Sequence, residues 1–134
     1  MKPKVAWVSK HPILPIQLKI LKQKLGNPQI VQYAQLFVNV EELHNALKQA
    51  DVKYAVVVLP LSMIARLTEY NDITWIWSEM QKVHDDCIGL NCELFNSDTD
   101  VLLPTRNTHG MFYRHLRFSC FKKIKGVQLL LEDF

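Results

Sequence analysis

Apolar and polar positions fall into short blocks of changing period along this chain. Lys4–Val8 (KVAWV) is an apolar run broken by Ser9-Lys10-His11-Pro12, which predicts a buried strand entering a loop. Leu14, Leu18, Leu21 and Leu25 then recur at helical spacing, with Ile16 and Ile20 beside them and Gln17, Lys19, Lys22, Gln23 and Lys24 opposite. Pro15 suits a first helical turn, and Gly26-Asn27-Pro28 ends the helix. Gln29–Tyr33 reads as a second strand. Asn39 followed by Glu42 is an N-cap signal for a second helix that carries Val40, Leu43 and Leu47 on one face. Tyr54–Leu59 (YAVVVL) is continuous, as in a strand covered on both faces, and Leu61, Ile64, Ala65 and Thr68 predict a short third helix.

Three strands alternating with helices predict parallel β-α-β crossovers. After Asp72 the period changes to two, and Ile73, Trp75 and Trp77 form one face of a fourth strand. Residues 81–110 show no sustained period, and 96–100 and 104–110 read as exposed loops. Met111–Ile124 alternates again, with Leu116, Phe118, Cys120 and Ile124 against His115, Arg117, Ser119 and Lys123; Lys125-Gly126 then leads into Val127–Leu131, which predicts a terminal hairpin. The expected fold is α/β: a Rossmann-like three-layer sandwich with a mainly parallel sheet and a C-terminal antiparallel β-hairpin, in one domain spanning 1–134.

Composition adds limits. The chain has 134 residues, 49% of them hydrophobic and 22% charged, as for a globular protein. Its longest strongly apolar run, Tyr54–Leu61, is too short for a membrane span and is interrupted by Pro60, and the opening residues lack the apolar core of a secretory signal. A cytoplasmic location without membrane partners is expected. The net charge of +3 divides into +6 over residues 1–40, −7 over 41–100 and +4 over 101–134. If the basic segments meet, they form a surface for phosphate groups, and the C-terminal one could contact nucleic acid; the plainer reading is lysines on solvated faces.

In an open parallel sheet, ligands gather beyond the carboxyl ends of the strands. That rule selects Ser9, Lys10 and His11 after the first strand, residues 33–37 after the second, Pro60 and Ser62 after the third, and 79–82 after the fourth. Ser9 offers a hydroxyl, Lys10 an ammonium, and His11 a group able to bind anions or move protons. His11 before Pro12 could equally serve the turn alone, and Ser62 reads first as a helix-start residue. Arg106 and His109 would close over a ligand if the 96–110 segment is a loop. No GxGxxG, GxxxxGK[ST] or GxSxG motif occurs, which disfavours dinucleotide oxidoreductases, P-loop NTPases and α/β-hydrolases. His84, Cys87 and Cys92 could supply three zinc ligands with Asp85 or Asp86 as a fourth. The odd set Cys87, Cys92 and Cys120 is instead expected to be reduced thiols packed as small apolar residues, with no metal and no cofactor. Trp75 and Trp77 share a face that must be covered by a helix, a second copy or stacked bases.

The stretch Ser9-Lys10-His11-Pro12-Ile13-Leu14-Pro15-Ile16-Gln17-Leu18 resembles the opening of small Rossmann-like proteins of phages, mobile elements and CRISPR-associated loci. In those proteins a Ser-x-His-Pro or Ser-Arg-His turn leads into a Thr-Pro-x-Gln-Leu helix; here Leu14-Pro15 replaces Thr-Pro, which removes the hydroxyl cap. Some such proteins resemble CARF domains, which bind cyclic oligoadenylates across a dimer, and a few cleave them. The resemblance implies a homodimer with Ser9, Lys10 and His11 as ligand contacts. The expected function is binding of a phosphate-bearing small ligand or nucleotide. The alternatives are a metal-independent phosphodiesterase in which His11 is catalytic, and a protein-interaction module.

Overall fold

The computed structural model describes residues 3–35, 37–89, 92–107, 110–126 and 133, and not the side chains at 61, 85, 86, 105–107 and 111. In chain order the elements are β1 (Lys4–Val8), α1 (Pro15–Leu25), β2 (Gln29–Gln32), α2 (Val40–Gln49), β3 (Tyr54–Val57), α3 (Leu61–Leu67), β4 (Thr74–Cys87), β5 (Asp100–Asn107) and β6 (Gly110–Lys123). The chain is α/β, with a mixed sheet hydrogen-bonded in the order β2-β1-β3-β4-β6-β5. No helix among the described residues is long and apolar enough to cross a membrane. The chain forms two compact units, and β4 passes from the first to the second after Trp77.

The first unit comprises residues 1–11, 28–77 and 122–134. Its strands are parallel as the β-α-β pattern predicts: Ala6 lies opposite Val31 of β2 and Ala55 of β3, and Val56 opposite Ile76 of β4. Alternation sends Ala6, Val8, Ala55, Val57 and Trp75 into one core with Leu43 and Leu47 of α2 and Leu67 of α3. Val5, Trp7 and Val56 point the other way and are buried too, so the central strands are covered on both faces. α2 begins as its sequence predicts, with the Asn39 side chain accepting the Glu42 backbone N–H at 2.8 Å.

His44 on α2 stacks on Tyr70 at a ring separation of 4.0 Å and places Nε2 2.9 Å from both carboxylate oxygens of Asp72. Burial pushes the Asp72 carboxyl up, but the His44 hydrogen bond and charge outweigh it and hold the group below its ordinary value of 3.8. A carboxyl depressed in the folded state stabilises fully above its unfolded pKa, and that contribution disappears as pH falls through the folded value. Asp72→Asn should therefore flatten the acid side of the stability profile below about pH 5. Urea midpoints at neutral and acidic pH check this; an unchanged difference between them rejects it.

The second unit comprises residues 12–27 and 78–121. Here Leu14 replaces the usual polar cap of α1, and buried Gln17 takes over part of that role: its Oε1 accepts the Leu14 N–H at 2.9 Å while its Nε2 donates to Ser78 Oγ at 2.9 Å. Gly26 closes α1 at φ 68°, a left-handed conformation that glycine adopts without a Cβ clash.

Two sequence expectations are corrected in this unit. The fourth strand does not stop at Ser78 but continues through Gln81, Lys82, His84, Asp85 and Asp86 to Cys87, so residues 79–82 lie within the strand and not beyond its end. Asp100 and residues 104–107, read as parts of two loops, belong to β5, which pairs antiparallel with β6 from Asp100 opposite Arg117 to Asn107 opposite Gly110. The antiparallel C-terminal hairpin is present, but its strands are β5 and β6; the expected strand Val127–Leu131 lies outside the described residues. Pro104 within β5 is tolerated because β5 is the last strand in the sheet order.

Candidate functional site

The first unit contains a cavity of about 230 Å³ lined by residues that follow three parallel strands: Val8–His11 after β1, Tyr33–Gln35 and Phe37 after β2, and Val58 and Leu59 after β3. The order β2-β1-β3-β4 sends successive connections from β1 to opposite sides, so β1 and β3 flank a topological switch point, where turns diverge and leave a crevice. Its floor and walls are mainly apolar. Tyr33 and Phe37 form an aromatic wall with ring centroids 6.4 Å apart, and Ser9, Lys10, His11 and Gln35 supply the polar groups.

The β1 turn is held from within. Ser9 Oγ accepts the His11 N–H at 3.1 Å, Trp7 Nε1 donates to the His11 carbonyl at 3.0 Å, and the Gln32 amide donates to the carbonyls of Ser9 and His11 at 3.0 and 3.1 Å. These bonds engage the His11 backbone and leave Lys10 and His11 as exposed side chains at the rim. Ser9, Lys10 and His11 are thus brought together with Tyr33, Ala34, Gln35 and Phe37, as strand polarity predicts. Ser62 is exposed in the first turn of α3 and does not line the cavity. Arg106 lies in β5, opposite Met111, and not in a closing loop; its side chain and all of His109 lie outside the described residues.

A second constellation lies in the other unit. His84, Cys87, Cys92 and His115 each offer one donor atom, and all four atoms lie within 4.8 Å of one another. His84 Nε2 is 3.2 Å from Cys92 Sγ, and His115 Nδ1 is 4.0 Å from both Cys87 Sγ and Cys92 Sγ. His84 and Cys87, three residues apart, would face opposite sides of a regular strand; they converge where β4 ends and the chain turns through Gly89 at φ 105°. The His84 hydrogen bond brings the Cys92 thiol down to about 7, whereas burial pushes Cys87 up.

Behind His115 stands a buried carboxylate. Asp100 Oδ2 accepts from His115 Nε2 at 2.6 Å, and neither side chain is exposed to solvent. Arg117 grips the same carboxylate through Nε at 2.8 Å and Nη2 at 3.0 Å, with Thr99 Oγ1 and the Asn96 N–H completing its partners at 2.6 and 3.0 Å. Burial alone would raise the Asp100 carboxyl, but the Arg117 bonds and those of Thr99, His115 and Asn96 hold it well below the usual carboxylate range.

Sequence reading weighed His84, Cys87 and Cys92 as zinc ligands with Asp85 or Asp86, whose side chains lie outside the described residues, as a fourth, but preferred reduced thiols without a metal. It assigned His115 to the polar face of its strand and overlooked Asp100 and Arg117. The available signal was weak: a histidine two positions from an arginine on a strand that the β5 hairpin brings against Asp100. Cys120 stands apart, donating to Glu79 Oε2 at 3.1 Å. No protein-family model, curated protein or solved structure matches this chain.

Proposed function

We propose that the first unit binds a small phosphate-bearing ligand of nucleotide type in the β1–β3 crevice, within a Rossmann-like arrangement. The observation that carries this reading is a cavity lined by the trailing turns of three parallel strands, aromatic on one side and cationic at the rim. A flat base suits Tyr33 and Phe37; an anionic group suits Lys10, Ser9 and His11. The volume supports one nucleotide unit, so a cyclic oligonucleotide would seat one base at a time. The hydrogen bonds fixing the β1 turn use the His11 backbone and leave its imidazole at the rim, where it can contact an anionic group.

A charge-assisted hydrogen bond contributes about 1.5–3 kcal/mol, and solvent screening at exposed Lys10 places this one at the lower end. Calorimetric titration with nucleoside monophosphates should give affinities that fall about tenfold in Lys10→Ala. Equal affinity for nucleosides lacking the phosphate, or indifference to Lys10→Ala, removes the phosphate assignment.

A further inference from the structure

We propose that His84, Cys87, Cys92 and His115 hold one zinc ion in a closed Cys2His2 site that staples the end of β4, the segment carrying Cys92, and β6. This inference rests on the second unit alone and is independent of the ligand pocket. A tetrahedral ion with bonds of about 2.0–2.3 Å keeps its donor atoms about 3.3–3.8 Å apart. The separations of 3.2 and 4.0 Å lie at the two edges of that range, and the widest pair, within 4.8 Å, closes by at most about 1 Å of side-chain rotation when the ion binds.

The donor set selects the ion. Two thiolates and two neutral imidazoles are soft to borderline ligands, suited to zinc and unsuited to magnesium or calcium, which take oxygen. On binding, each cysteine loses its thiol proton to solvent and gives a sulfur lone pair to the metal, so the two thiolates balance the dication. With four protein donors the coordination sphere is complete, which marks the ion as structural and not as a catalyst with an open position.

The surroundings of His115 are those a metal ligand needs. Its Nε2 is bound to Asp100, which fixes the tautomer and turns the Nδ1 lone pair toward Cys87 and Cys92. Asp100 is itself locked by Arg117, so the imidazole plane is set before the ion arrives. A histidine packed only as a core residue would not require this oriented lone pair facing two thiols.

Protein purified under reducing conditions, stripped with a chelator and reconstituted, is expected to take up one zinc per chain. Cobalt(II) in its place should show the intense visible bands of a tetrahedral ion and thiolate-to-metal charge transfer in the near ultraviolet. Cys92→Ser and His115→Gln should weaken the metal by more than about tenfold, Asp100→Asn by about 10–100-fold, and Cys120→Ser should bind as the wild type does. If the ligand variants do not fold, the wild type decides: chelator should lower its melting temperature and zinc restore it. A wild type that binds no stoichiometric zinc or cobalt, a cobalt spectrum without the thiolate band, an iron–sulfur chromophore instead of zinc, or a melting temperature indifferent to both chelator and zinc would overturn the proposal.

Discussion

Asp100→Ala should destabilise the protein by about 3 kcal/mol, measured by urea unfolding with chelator present so that any metal contribution is set aside. The carboxylate is fully buried and accepts from His115, Arg117, Thr99 and the Asn96 backbone. Its removal strands several donors at once. Loss of one partner from a buried ionic cluster costs about 3–5 kcal/mol, and the lower end applies because Arg117, its side chain 44% exposed, can turn to water. His115 cannot, being wholly enclosed. Asp100→Asn keeps the shape and one carbonyl acceptor, so about half the loss is expected. A cost for the alanine variant below about 1 kcal/mol would mean that the cluster opens to solvent and does not hold its donors in place.

The two neighbouring tryptophans of β4 should differ sharply in what their removal costs. Trp75 is 3% exposed within the first unit's core and donates its indole N–H to the Tyr70 carbonyl at 2.9 Å. Trp75→Ala should cost about 3–5 kcal/mol, combining lost burial, a cavity and an unpaired carbonyl. Trp77, on the same face by alternation, is 49% exposed, and its replacement by alanine should cost less than about 1 kcal/mol. Chemical denaturation of both variants separates the cases. Similar losses would place Trp77 in the core; similar tolerance would return Trp75 to the surface as a platform for stacking.

The same contrast shows where sequence reading succeeds. β1, β3 and α2 were legible because burial on two faces demands continuous apolar runs and burial on one face demands a helical stripe, and both leave a periodic trace. From strand polarity the pocket's location followed, since parallel strands must bring Ser9–His11 and residues 33–37 to one end. The far half of β4 left no such trace: Gln81, Lys82, His84, Asp85 and Asp86 carry no sustained period, though backbone pairing makes them a strand. β5 was hidden by Pro104 and by the turn-rich residues before it. The metal-type cluster was illegible for a different reason. Three of its donors lie within nine positions, but His115 meets them only through the folding back of β6, a contact no local period encodes.

Pro104 also bears on how copies of this chain can meet. Among the described residues the outer margins of the sheet are β2, four residues long, and β5, interrupted by a residue with no amide hydrogen to offer. A neighbouring backbone laid against either margin would find a ladder too short or broken partway, which discourages open-ended, fibre-like growth. Copies that do assemble would therefore be expected to meet through side-chain surfaces and to stop at a finite number.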